Sequence, residues 1–202
     1  MKFLKIKSKQ AIINFAKNKF SRWYKSGIDV NNKSGTFAVQ RVKNTFFSPS
    51  IVTKGLKINA SDKVFTIGSC FARGIEKALV SRDFKVLSAS DKFDSFELIN
   101  DKVTALGSTN KYNTFSILNE IEWALKPEKK FPNESIVKID NNVYVDPFLN
   151  PTLKYIDKKG TLKRRKIIQG INSKIIDCEL IVITLGLVEV WYDSFTKTFI
   201  NG

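Results

Sequence analysis

Residues 63 to 87 constrain the fold most. An apolar run, Val64-Phe65-Thr66-Ile67, stops on Gly68 and passes directly into a segment with helical spacing of Ala72, Ile75, Ala78 and Leu79, and a second short apolar run follows at Phe84 to Leu87. Strand, helix and strand separated by tight turns predict a β-α-β unit, with strand Lys63 to Ile67, helix Phe71 to Val80 and strand Phe84 to Leu87. Such a unit makes a parallel sheet whose working edge lies beyond the carboxyl ends of its strands. The turn after the first strand therefore presents Ser69, Cys70 and Phe71 at that edge. A thiol at the start of a helix meets the positive end of the macrodipole and unpaired amides, conditions that favour the reactive thiolate. Cys70 is thus a candidate nucleophile, beside the plainer reading of a small buried hydrophobe.

The rest of the chain extends the same architecture. Asn113 or Thr114 caps a helix with Ile117, Leu118, Ile121, Ala124 and Leu125 on its apolar face, which Pro127 stops. Ser135 to Asp140 and Val143 to Asp146 alternate around Asn141-Asn142 as a hairpin. Thr161 to Ile176 reads as a helix with Ile167, Ile168, Ile171 and Ile175 inward and Lys163 to Lys166 solvated. Leu180 to Leu185 is apolar throughout, as a central parallel strand covered on both faces should be. It ends at Gly186, so two strand ends, Gly68 and Gly186, are expected side by side. Residues 88 to 110 are polar and are expected to loop over that edge.

The net charge is +15, but residues 1 to 57 hold thirteen Lys or Arg against the single acid Asp29, leaving +3 for the remaining 145 residues. The expected division is a basic extension, 1–57, and an almost neutral domain, 58–202. In the extension Ile12, Phe15, Ala16, Phe20 and Trp23 share one helical face amid lysines. Two partners suit such a helix equally: an anionic membrane surface, or protein, its own domain included. Residues 26 to 57 read as linker. Lys outnumbers Arg, and no nucleic-acid-binding motif is visible, so nucleic acid is not the expected ligand. Cys70 and Cys178 lack metal-ligand spacing and the chain has no His, so neither a metal nor another cofactor is expected. The longest apolar run near the N-terminus, Ala11-Ile12-Ile13, is too short for a signal core, which points to the cytoplasm and to a free Cys70.

Gly68-Ser69-Cys70-Phe71-Ala72 spells the five letters for which the GSCFA family is named, and Thr184-Leu185-Gly186-Leu187-Val188-Glu189-Val190-Trp191 resembles its second signature. Tyr112 to Ile117 and Asp146 to Leu149 are similar to positions between them, so the resemblance spans about residues 46 to 202. It implies kinship with the SGNH or GDSL hydrolases, hence a three-layer α/β/α, flavodoxin-like fold with a parallel sheet. By that kinship Cys70 replaces the nucleophilic serine and attacks an acyl ester, on a small molecule or a glycan- or lipid-linked substrate, in hydrolysis or acyl transfer through a thioester. Oxyanion and substrate contacts fall to Ser69, Phe71, the amide of Gly186 or the side chain of Asn113, which serves equally as a helix cap. Glu189 is the candidate acid partner, or else an ion-pair partner for Arg73. Trp191 and Tyr112 wall a pocket or fill the core. The His of related triads is missing, and the reading that follows is a truncated or fragmentary domain, inactive as it stands. The alternative is a non-catalytic module that docks on a membrane or an acidic partner.

Overall fold

The computed structural model describes residues 7–17, 57–186 and 190–201. The chain divides into two units, Met1–Lys57 and Ile58–Gly202, each described here by itself. In the first, helix α1 spans Ser8–Lys17, with Lys17 in its last turn and Ile12 exposed. Phe20 and Trp23 of the expected helical face lie outside the described residues. Among the described residues, no helix is long and apolar enough to cross a membrane.

The second unit is α/β. Strand β1 (Lys63–Gly68) is central in a parallel sheet of order β2-β1-β5, with β2 at Lys85–Val86 and β5 at Leu180–Thr184. The register runs from Val64 against Leu180 to Gly68 against Thr184. Because strand side chains alternate, β1 feeds two layers. Phe65 and Ile67 pack with Ile117 and Ile175 on one face. On the other, Thr66 meets Glu76 of helix α2 (Cys70–Val80).

Helix α3 (Thr114–Leu125) starts at an Asn113 cap whose Oδ1 accepts from the Ser116 amide at 2.8 Å. Strands β3 (Val137–Asp140) and β4 (Val143–Val145) form the expected hairpin, and Asn142 takes the positive φ, 56°, that its turn requires. Helix α4 (Lys158–Asn172) is followed by a short 3-10 turn, Ser173–Asp177. A second hairpin, β6 (Trp191–Asp193) with β7 (Thr198–Ile200), closes the described chain.

Four expectations are corrected. Among the described residues the strand at Leu180–Thr184 stands at the edge of the sheet, not at its centre: Ile181 and Ile183 share the face of Phe65 and Ile67 yet are 46% and 53% exposed. An apolar run reports burial propensity and says nothing about place in the sheet. Residues 88 to 110 are irregular, but they are not a surface loop throughout, since Phe93 and Phe96 pack in a core with Leu153, Ile168 and Ile171. Helix α4 starts three residues before Thr161, because Asp157 Oδ1 caps it by accepting from the Gly160 amide at 2.7 Å. Within the Lys163–Lys166 run, Arg165 is only 1% exposed.

Arg165 is buried because two carboxylates meet it. Its Nε and Nη2 donate to Asp146 Oδ2 at 2.8 and 2.5 Å, and Nη1 donates to Glu120 Oε1 and Oε2 at 2.7 and 2.9 Å. Lys111 Nζ reaches the same Glu120 at 2.7 Å and also donates to the Phe148 carbonyl. The cluster ties α3, α4, the segment after β4 and the loop before α3 into one body. Burial alone would raise the Glu120 pKa, but the charges and hydrogen bonds of Arg165 and Lys111 outweigh it and hold the carboxyl below its ordinary value.

Candidate functional site

Gly68 makes the turn possible. Its φ is 141°, and a Cβ there would stand 2.1 Å from the Thr184 carbonyl oxygen, so only glycine lets β1 approach β5 at this point. The close approach continues one residue on, where the Ser69 amide donates to Thr184 O at 3.2 Å. Ser69 is buried and its hydroxyl lies 3.2 Å from Thr184 Oγ1, so this serine braces the turn.

Cys70 is the first residue of α2, and its side chain is exposed. Phe71 beside it is 73% exposed, an uncommon state for a large apolar ring next to a tight turn. The Ala72 amide donates to Ser69 O at 2.9 Å, whereas the amides of Cys70 and Phe71 make no hydrogen bond among the described residues. Open amides in a first helical turn are the usual state of a helix start, and here they flank an accessible thiol. Cys178, by contrast, is half-buried. Its Sγ donates to the Ile175 carbonyl at 3.0 Å, and burial pushes its pKa up.

The second strand end stands where the sequence placed it. A Cβ on Gly186 would lie 3.1 Å from Ser69 Cβ and 3.2 Å from Tyr112 Cδ1, so Gly68, Ser69, Gly186 and Tyr112 form one cluster. The Gly186 amide is already committed to Tyr112 O at 3.2 Å. Asn113 is buried and uses both ends of its amide: Oδ1 caps α3, and Nδ2 donates to Ile200 O at 3.5 Å. Trp191 is exposed on β6, where it pairs with Ile200 of β7. Glu189 lies outside the described residues.

Two positions that the sequence reading did not single out hold this cluster. Asn201 accepts from the Tyr112 amide at 3.1 Å and donates to Asn110 O at 2.8 Å, pinning the loop that carries Tyr112 to the end of β7. The Lys111 amide, one residue before, donates to Gly68 O at 2.7 Å. Glu76, buried under the sheet, accepts from Thr66 Oγ1 at 2.6 Å and Ser88 Oγ at 2.5 Å and pairs with Arg73 Nη1 at 2.9 Å. Arg73 is therefore already partnered within α2. Burial lowers its pKa and Glu76 opposes that shift.

The profile of the GSCFA family matches residues 63–202, from the first residue of β1 onward. The chain belongs to the GSCFA family. No curated protein and no solved structure matches it. Within this GSCFA domain the eponymous segment is the end of β1 together with the first turn of α2, so the family's letters fall on the glycine that the sheet requires and on the exposed thiol. Membership suggests a hydrolase-like domain.

Proposed function

We propose that the GSCFA domain is an acyl-ester hydrolase or acyltransferase of SGNH-like descent with Cys70 as its nucleophile. The observation that carries this reading is an exposed thiol in the first turn of α2, beside two amides without partners among the described residues, on the carboxyl edge of a parallel sheet. In the reaction, Cys70 Sγ adds to the ester carbonyl, and the oxygen that becomes negative is met by the amides of Cys70 and Phe71. Collapse breaks the bond to the alcohol oxygen, which leaves with the proton lost by the thiol and gives a thioester on Cys70. Water or an acceptor hydroxyl then breaks the thioester and restores the thiol. Glu189, three residues past Gly186 in the chain, is the acid assigned to orient or move that proton.

Acetylation by p-nitrophenyl acetate tests this. The expected result is a hydroxylamine-sensitive acetyl group on the Cys70 peptide by mass spectrometry. Cys70→Ala should remove both adduct and turnover, by at least about 10³-fold. Glu189→Gln is expected to leave the adduct possible but slow turnover about 10- to 100-fold. Labelling confined to Cys178, or turnover equal in Cys70→Ala, would overturn the assignment.

A non-catalytic ligand-binding module is the second reading. It draws on the complete lack of His in the sequence.

A further inference from the structure

The charge of the GSCFA domain is unevenly spread. Although residues 58–202 carry only +3 of the net +15, one groove of about 950 Å³ between the end of α3 and the outer side of α4 is lined by lysines and by no acidic residue. Lys129 and Lys130 stand on one wall, and Lys158, Lys159, Lys163 and Lys166 stand on the other. All six are exposed and none forms a close ion pair among the described residues, although Lys129 lies within electrostatic reach of Glu122. Trp123 and Leu162 form part of the floor.

This arrangement is locally unfavourable for the helix that bears it. Lys158 and Lys159 occupy the first turn of α4, where the macrodipole disfavours cations, and the Asp157 cap is the single carboxylate at that helix start. Lys159 and Lys163 repel one another at i, i+4. A local rule broken by several residues converging on one concavity is expected where a ligand supplies the missing countercharge.

The groove is not the Cys70 site. The start of α3 adjoins Gly68 and Gly186, whereas the groove begins at the last turn of that helix, from Trp123 on, about 14 Å of helix away. Its form also selects the ligand. The lysines line two sides of one concavity instead of sharing a single flat face, which suits a compact ligand better than a bilayer surface. Nucleic-acid bases need open aromatic faces, but Trp123 is packed edge-on against Phe131 and Phe148 at 5.1 and 4.9 Å, and the Arg165 guanidinium covers Phe131 at 4.6 Å. What remains is charge without base recognition, presented by ammonium groups, which bind phosphate as point charges. The volume is that of a small-ligand pocket.

We infer that the groove between α3 and α4 is a binding site for a compact soluble ligand carrying several phosphate groups. Calorimetric titration of the full chain with inorganic tripolyphosphate tests it, alongside a single-stranded oligonucleotide and phosphatidylglycerol vesicles. The expected result is one saturable tripolyphosphate site that the double variant Lys159→Glu/Lys163→Glu weakens at least about tenfold. Lys159→Gln/Lys163→Gln should weaken it in the same direction, and reversal of the exposed Lys85 and Lys92 outside the groove should change it less than twofold. Equal losses in both reversed pairs, binding that does not saturate, or groove-dependent binding that is tighter to vesicles or oligonucleotide would overturn the inference.

Discussion

Arg165→Met is expected to destabilise the domain by about 4 kcal/mol, the range found when one partner is removed from a buried ion cluster. The size follows from what stays behind. Asp146 Oδ2 would lose its guanidinium donors, leaving that carboxylate, among the described residues, only the Phe148 amide at 2.9 Å. Glu120 would keep Lys111 and Asn172 but lose both bonds from Nη1. Methionine can replace the packing on Phe131 but neither charge nor donor. Denaturant midpoints with an unchanged slope would measure the loss, and Lys163→Met, on the exposed side of the same helix, should move stability by less than about 0.5 kcal/mol.

The cluster also predicts an acid limb. Glu120 has its pKa held below the ordinary 4.5 in the folded state, so the unfolded chain binds more protons between the two values. Its contribution is then complete above about pH 4.5 and is lost as pH falls through the lowered value. In Arg165→Met the Glu120 carboxyl keeps Lys111 but loses one of the two partners that lower it, and acid unfolding is expected to begin at higher pH. An acid limb identical in the two proteins would show that Glu120 does not depend on Arg165.

Local pattern carried much of this fold, and the failures are of two kinds. The β1-α2-β2 unit, the α3 cap and the first hairpin are readable because alternation, helical phase and turn residues are local properties. The place of β5 in the sheet is not local, and a wholly apolar strand was therefore given the centre when it holds the edge. Arg165 shows a signal present but overruled. Thr161, Arg165 and Ile168 lie at i, i+4 and i+7 and are all buried, so helical phase already turned Arg165 inward, while its neighbours Lys163, Arg164 and Lys166 suggested a solvated run. Glu76 is similar, lying one turn after buried Ala72. In the site, the glycine turn and Cys70 are legible from the motif. The bracing by Asn201 and Lys111 joins segments as much as 91 residues apart, and no single-sequence periodicity encodes such a contact.

Gly68→Ala is expected to cost on the order of 4 kcal/mol, combining a strained backbone with overpacking against a neighbour that cannot retreat. The neighbour is main chain. The added methyl would stand 2.1 Å from Thr184 O, 2.6 Å from its Oγ1 and 2.8 Å from its N. Relief requires β5 to move away from β1 at the end of a ladder that pairs five residues, Val64 to Gly68, with Leu180 to Thr184. The same movement would stretch the bond from the Ser69 amide to Thr184 O, so the turn that sets the height of Cys70 above the sheet edge would be lost together with stability. Gly74→Ala is the matched control. It lies within α2, nothing stands within 4 Å of its added Cβ, and helix propensity predicts a gain of about 0.5 to 1 kcal/mol. Thermal unfolding of the two variants should therefore shift in opposite directions from the parent. Should Gly68→Ala melt with the parent, β1 and β5 would have to separate at this point without cost. The close approach of the two strand ends would then be incidental to the site, and Cys70 would owe its position to the first turn of α2 alone.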